Sequence, residues 1–417
     1  MKAVVVGTGG REHALVKALR RSPLVSKVYA WPGNDGIFLD ALKPPAAVKN
    51  HKTFVNWAHD EKVDFVVIGP EKDLVEGLAD ELRAKGISVF GPNREAARLE
   101  ESKIFSKQFM IEFDVPTAVA VTVTNQQELK RAMPQFCAPY VLKAEGLAAG
   151  KGVFICRTDE ELIRAGRNLF ERQILGEHGR RALLEEYLPG EELSVLVLTN
   201  GSQFEILPFS RDHKRLLDNN LGPNTGGMGV IAPISIPQSA MDEIRRLIVE
   251  PSVRGLQERK FFYRGILFIG VMLTKSGPRV LEYNVRWGDP EAQAILPLLD
   301  GDWADVLKQI SDGGLPRFKW RKAGVACVVI AAEGYPETPI KGVEISGLST
   351  VTDSARDVEI LHAGTKLAPS GAFATNGGRV LNVVACAPTV ELAVERAYQE
   401  INKIHWPGMQ YRRDIGR

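Results

Sequence analysis

Val280–Glu291 reads VLEYNVRWGDPE, and its residue types alternate from Val280 to Trp287. On an extended strand Leu281, Tyr283, Val285 and Trp287 point one way, and Val280, Glu282, Asn284 and Arg286 the other. Gly288-Asp289-Pro290 then turns the chain. Upstream, Ile266–Leu273 is a second apolar run, and Lys275-Ser276-Gly277 joins the two as a β-hairpin. One face of the second arm is apolar. The other presents a carboxylate, an amide oxygen and a guanidinium in a row. That row suits a cleft for a hard cation and anionic oxygens, because Mg²⁺ takes one or two protein oxygens and completes its shell with water and phosphates. Glu282 and Asn284 are the two oxygens in this reading. A solvated strand face with a Glu–Arg pair is the alternative, and this stretch alone does not choose.

The surrounding chain sets bounds. Its 417 residues exceed one core, and roughly two to four domains are expected at this length. Hydrophobic residues make up 44% and charged residues 25%, ordinary for a soluble globular protein. With 53 basic against 51 acidic residues, no nucleic-acid or membrane surface is implied. Cys137, Cys156, Cys327 and Cys386 are far apart, without CxxC spacing, and read as reduced thiols of a cytoplasmic protein. The opening MKAVVVGTGG breaks at glycine too early for a signal peptide, and no run approaches a membrane span.

Ala3–Val6 is a short buried strand ending in Gly7-Thr8-Gly9-Gly10, and a helical pattern follows through Leu15 and Leu19. This is the opening of a doubly wound α/β domain. Gly7 and Gly9 fit a dinucleotide fingerprint, but Glu12 holds the third glycine position. With Arg11 alongside, a small phosphorylated molecule fits the turn better; a tight turn that merely starts the fold is the alternative. Strands at Lys27–Ala30, Val63–Ile68 and Ile87–Phe90 continue the pattern, with a helix at Leu74–Ala84. Each strand ends in a Gly/Pro turn at its carboxyl end, where open α/β sheets place ligands.

Pro139–Val153 reads PYVLKAEGLAAGKGV. A strand carries Lys143, and Gly146, Gly150 and Gly152 bracket Lys151 before the chain returns to strand. It is not a Walker loop, since it lacks GxxxxGK[ST] and leads to strand. Backbone N–H groups of such a hairpin can close over phosphates; a plain hairpin with a glycine tip is the alternative. Lys103 and Lys107, four apart on a helix, are a solvated face unless one reaches a phosphate. Leu183–Leu188 is a strand, and the order Glu185–Tyr187 then Glu192 suits an adenine edge and ribose hydroxyls; a surface acidic turn stays open. Asp212–Gly229 is expected to be a long polar loop. From Phe318 a small α+β tail follows, with strands at Gly324–Ala332, Val343–Gly347, His362–Gly364 and Val380–Cys386 and a helix at Glu391–Ile404. The Asn376–Arg379 turn carries a cation but reads as a plain hairpin.

Ten signatures occur in order: GGREHAL (Gly9–Leu15), PGN (Pro32–Asn34), SK (Ser102-Lys103), GLAAGKGV (Gly146–Val153), GEE (Gly190–Glu192), DHKR (Asp212–Arg215), GPNTGGMG (Gly222–Gly229), GDPE (Gly288–Glu291), HAGT (His362–Thr365) and TNGGRVL (Thr375–Leu381). With them the whole chain resembles the ATP-grasp ligases and, among these, the phosphoribosylamine–glycine ligase family. The resemblance implies a doubly wound parallel-sheet domain over 1–101 and a two-lobed ATP-grasp α+β domain over 102–317, its small lobe about 118–187. A small α+β domain over 318–417 completes it. It implies a ligase that joins glycine to 5-phosphoribosylamine with ATP, through a glycyl phosphate, in de novo purine synthesis. Glu282 and Asn284 resemble the family's ligands for Mg²⁺ or Mn²⁺. Lys103, Lys143, Gly146, Gly150, Lys151 and Gly152 would hold the triphosphate. Glu185, Glu186, Tyr187, Leu188 and Glu192 would hold adenosine, with Arg215 and Asn224 as further contacts. Gly9, Gly10, Arg11 and Glu12 fall near phosphoribosylamine, Asp212 and Arg286 near glycine, and Arg286, Lys143 and Lys151 at the transferring group. The partners implied are these small molecules, with no nucleic acid or membrane, for a monomer with a dimer as alternative. Glu145, Glu101, Trp287 and Ala292 replace the family's usual Asp, Gly, Phe and Thr; none is a metal or phosphate ligand. Another ATP-grasp carboxylate–amine ligase, or a nucleotide sensor that kept the fold, are the rival readings.

Overall fold

The computed structural model describes residues 1–147, 152–348 and 357–417. Its N-terminal region is a parallel four-stranded sheet in the order Lys27–Pro32, Lys2–Gly7, Phe65–Ile68, Ser88–Phe90. The strands are unbroken apolar runs because both faces are covered. Val4, Val6, Val66 and Ile68 pack on one side with Phe54, and Ala3, Val5, Phe65 and Val67 on the other with Leu15 and Leu19. The helix expected over Leu74–Ala84 is two helices, Glu71–Val75 and Leu78–Ala84. Gly77 divides them at φ +92°, a left-handed conformation that glycine adopts without steric cost.

The middle region holds two antiparallel sheets. The smaller runs Ala120–Val123, Ala182–Glu186, Tyr140–Ala144, Val153–Cys156. It has its own apolar core of Val123, Leu142, Leu162 and Leu184, among others. The larger runs Phe204–Ile206, Glu191–Thr199, Gly265–Thr274, Gly277–Asn284. Its last two strands are the expected hairpin, but the alternation breaks within it. Glu282 opposes Gly270 and Val280 opposes Val271, so Leu281 is an extra residue in a β-bulge. Val280 is therefore buried with Tyr283 and Val285, while Leu281, expected in the core, is half-buried. The strand ends at Asn284, and Val285 and Trp287 enter the core from the turn beyond it.

Asp212–Gly229 is more ordered than its polar, glycine-rich composition suggests. Arg215–Leu217 pairs with Leu221–Asn224, so the segment satisfies its own backbone groups in a short ladder. Arg211–Asp212 and Gly229–Ala232 join a five-stranded sheet completed by Gly324–Ala331, Arg379–Ala387 and Val358–His362. The tail's sheet thus borrows two strands from the middle region. Helix Val390–Ile401 covers this sheet with Ala393, Val394, Ala397 and Ile401. Val343–Gly347, expected as a strand, makes only isolated bridges, from Glu344 to Ala374 and from Ser346 to His405. Among the described residues no helix is long and apolar enough to cross a membrane.

Candidate active site

Glu282 and Asn284 lie two residues apart beyond the bulge, on the last strand of the larger sheet. Among the described residues no hydrogen bond or ion pair engages the Glu282 carboxylate. Burial pushes that carboxyl up, but Lys214, Lys143, Lys103 and Arg286 outweigh burial and hold it below the usual carboxylate range. Asn284 Oδ1 accepts from Arg286 Nη2 at 3.2 Å. An ionised carboxylate and an amide oxygen are the hard donors that Mg²⁺ takes, so the donor set fits that cation.

Two of the expected triphosphate lysines, Lys143 and Lys103, come from two different elements. Lys143, on strand Tyr140–Ala144, donates to Leu281 O at 2.9 Å and pairs with Glu185 Oε2 at 2.8 Å. Leu281, whose carbonyl takes this contact, is the extra residue of the bulge. Lys103 begins the helix capped by Ser102 and donates to Gly146 O at 3.2 Å. Burial lowers its pKa, and a buried ammonium of this kind gains from an anionic ligand. Gly152 lies at the far end of the glycine turn, where its carbonyl accepts from Ala144 N at 2.8 Å. Gly150 and Lys151 lie outside the described residues.

The expected adenosine residues divide. Glu185 is buried between Lys143 and Lys107, the latter 3.0 Å from Oε1, and holds both lysines in place. Burial pushes its carboxyl up, but the two lysines prevail and its pKa falls. Glu186 Oε1 accepts from Val119 N at 2.8 Å. Tyr187 is exposed and Leu188 half-buried. Glu192 pairs with Lys214. Arg215 donates to Gly222 O at 2.8 Å and faces Asn224 across the small hairpin.

Gly9–Glu12 opens helix Gly10–Arg20 without leaving a bare phosphate turn. Glu12 Oε2 accepts from Gly9 N at 2.6 Å, and a Cβ at Gly7 or Gly69 would strike the Glu12 side chain. The glycines here make room for a carboxylate. Arg11 is buried, pairs with Glu12, and donates to Trp287 O at 3.0 Å. Asp212 Oδ1 is buried without a partner. Burial and the neighbouring Glu291 push the Asp212 carboxyl well up. Arg286 is engaged on several sides. Nη2 lies 2.7 Å from Glu100 Oε1, Nε 3.4 Å from Glu71 Oε2, and Nη1 donates to Trp287 O at 3.3 Å.

This fold has relatives. Models of the phosphoribosylglycinamide synthetase family match the chain in sequence: the N domain over residues 1–100, the ATP-grasp (A) domain over 101–292 and the C domain over 325–417. The chain belongs to this family. A phosphoribosylamine–glycine ligase of Mesorhizobium japonicum is 43% identical over 421 residues, covering 100% of this chain and 98% of that protein. One from Listeria innocua is 39% identical, over 100% of this chain and 99% of its own length. The crystal structure of phosphoribosylamine–glycine ligase from Thermotoga maritima superposes with a TM-score of 0.87 at 36% identity, covering 100% of both chains. The biotin carboxylase domain of Hydrogenobacter thermophilus 2-oxoglutarate carboxylase shares the fold, with a TM-score of 0.74 at 19% identity over 98% of this chain and 91% of its own.

Within this phosphoribosylglycinamide synthetase fold, several site neighbours escape a reading of the sequence. Asp289, read there as holding the turn, accepts from Gln293 Nε2 at 2.6 Å and also pairs with Arg379 Nη2 at 2.9 Å. Arg379 donates to Asp289 O at 2.6 Å and to Gly226 O at 2.5 Å, so the cation of the tail's turn locks the GDPE turn to the GPNTGGMG loop. Glu291 Oε1 accepts from Ser194 Oγ at 2.9 Å. Glu145 accepts from Ile104 N at 3.0 Å and from Ser102 Oγ, and so helps cap the helix that carries Lys103. Glu71 and Glu100 leave no local signal, because their partner is far along the chain.

Proposed function

We propose that the protein joins glycine to 5-phosphoribosylamine with ATP, giving glycinamide ribonucleotide, ADP and phosphate in purine synthesis. The observation that carries this reading is the Glu282–Asn284 pair under the charges of Lys103, Lys143 and Lys214, on a chain that aligns end to end with ligases of that name. Phosphoryl transfer asks the protein for positioning and charge neutralisation more than for covalent chemistry. Glu282 and Asn284 would hold Mg²⁺, with Mn²⁺ the alternative, and the bound cation supplies neutralisation of phosphate oxygens. Lys103, Lys143 and the Gly146–Gly152 loop, with Gly150 and Lys151, bind the triphosphate in this reading. Glu185–Leu188 and Glu192 border adenosine, and Arg215 and Asn224 lie beside it.

Glycine needs no general base for the first step, since its carboxylate is already ionised. A carboxylate oxygen attacks the γ-phosphorus and ADP leaves. The amine of phosphoribosylamine then attacks the acyl carbon of glycyl phosphate, and inorganic phosphate departs. Arg286 steadies the charge on the transferring group, Asp212 lies toward glycine, and Gly9–Glu12 lie toward phosphoribosylamine. Division of the chain at residues 101 and 317, a cytoplasmic location, and a monomer with a dimer as alternative belong to the same proposal. Omitting each substrate in turn tests it, with phosphoribosylamine generated in the assay. Continuous ADP release is expected only when ATP, glycine and phosphoribosylamine are all present, and release without glycine would overturn the assignment.

A further inference from the structure

We propose that Glu100 is a positioning residue for Arg286, so that the N-terminal region sets the aim of the cation at the ligation site. The inference rests on the ligase reading above. Glu100 is buried near the end of helix Arg94–Glu101. Its two oxygens are divided between neighbouring residues: Oε1 lies 2.7 Å from Arg286 Nη2, and Oε2 accepts from the Val285 backbone N–H at 2.8 Å. One carboxylate therefore fixes both the main chain entering Arg286 and the guanidinium at its end. Glu71 Oε2 adds a second carboxylate, 3.4 Å from Arg286 Nε. The Trp287 carbonyl is shared, at 3.3 Å from Arg286 Nη1 and 3.0 Å from Arg11 Nη1.

An arginine side chain is long and flexible, and transfer chemistry needs its donors held within about 0.5 Å of their working place. Glu100 and Glu71 add a grip from the N-terminal region to the local bonds that Arg286 makes with Asn284 Oδ1 and Trp287 O. This grip also has a direct link to the phosphate side. Ser102, two residues beyond Glu100, caps the helix that begins at Lys103, and Lys103 donates to Gly146 O. A single short connection thus places the anion that holds Arg286 and a lysine of the proposed triphosphate site. A carboxylate that served only as mortar between two regions would not need both of its oxygens on consecutive residues.

The test is a double-mutant cycle on the full chain, measuring kcat and the KM for ATP in the wild type, Glu100→Gln, Arg286→Lys and the double variant. Glutamine keeps the shape of Glu100 but turns an NH₂ toward the guanidinium or toward the Val285 N–H. We expect Glu100→Gln to lower kcat about tenfold or more while KM for ATP changes less than about twofold. In the Arg286→Lys background the same change should cost less than about a further twofold, because its effect runs through the arginine fork. Equal losses in both backgrounds, or an unchanged kcat in Glu100→Gln, would overturn the positioning role. Should Glu100→Gln fail to fold, Glu100→Asp, which keeps the charge but shortens its reach to Arg286, replaces it in the cycle, and the same two results decide for or against the role. Wild-type turnover with an unaffected variant overturns this inference and leaves the ligase reading standing, whereas absence of wild-type turnover overturns both.

Discussion

Four cations, Lys214, Lys143, Lys103 and Arg286, act on Glu282, and in the proposed reaction its charge is matched by a cation that arrives with the nucleotide. Replacing it with alanine removes a ligand without emptying the apolar core, because Glu282 lies on the half-buried side of its strand. Glu282→Ala should therefore stay folded and lose turnover by about a hundredfold, on the order of 3 kcal/mol; near-normal kcat would remove Glu282 from the site. The buried histidines make a different residue-scale prediction. His362 donates its backbone N–H to His13 Nδ1 at 2.8 Å, and His13 Nε2 faces Asp40 Oδ2 at 3.0 Å, which fixes His13 as a neutral ring with its proton on Nε2. Burial lowers the pKa of His13, takes His362 down to about 3, with the neighbouring His13 and Lys17 adding, and takes His213 down to about 4. The unfolded chain binds these protons near pH 6.5 and the folded chain does not. Stability is thus fully present above pH 6.5 and falls as pH drops toward about 4, by about 1.4 kcal/mol per pH unit for each such histidine. Urea midpoints between pH 7.5 and 5 should show this fall, and His362→Asn should flatten it; an unchanged slope would mean that His362 is protonated in the native state.

At the scale of elements, periodicity identified the hairpin and its polar row but not the bulge. Alternation assigns faces on the assumption of one residue per partner, and Leu281 breaks that assumption. The consequence is measurable. Val280→Ala, at a site with 0% exposure, should destabilise the protein by about 2 kcal/mol, against less than about 1 kcal/mol for half-buried Leu281→Ala. The reverse order in urea unfolding would restore simple alternation. Lys107 shows the same limit. Its spacing from Lys103 was legible as a helix face, yet it is buried on Glu185, Thr117 Oγ1 and Ala118 O. Local pattern tells which residues share a face, but not what arrives to cover it. Glu100 meets Val285 across 185 residues of sequence, and no spacing rule carries that contact.

For the molecule as a whole, the three regions were legible from strand order and ordered signatures, while their fastening was not. Asn34 donates to Ala363 O at 2.8 Å, His13 accepts from His362, and Arg379 spans the GDPE turn and the GPNTGGMG loop. The tail's sheet also takes strands from the middle region, so the tail is built into the site's wall. Arg379→Gln should leave the half-buried Asp289 carboxylate without its cation, held by Gln293 alone, and cost about 2 kcal/mol in urea unfolding; a loss too small to measure would make the pair dispensable. The central claim concerns chemistry in the cleft that these fastenings shape: glycine is activated as an acyl phosphate. Turnover of glycine labelled with heavy oxygen in its carboxylate tests this directly, by mass spectrometry of the released phosphate. The account predicts that each inorganic phosphate carries a single labelled oxygen from glycine; unlabelled phosphate, with the oxygen that glycine loses found in water or in AMP instead, would contradict it.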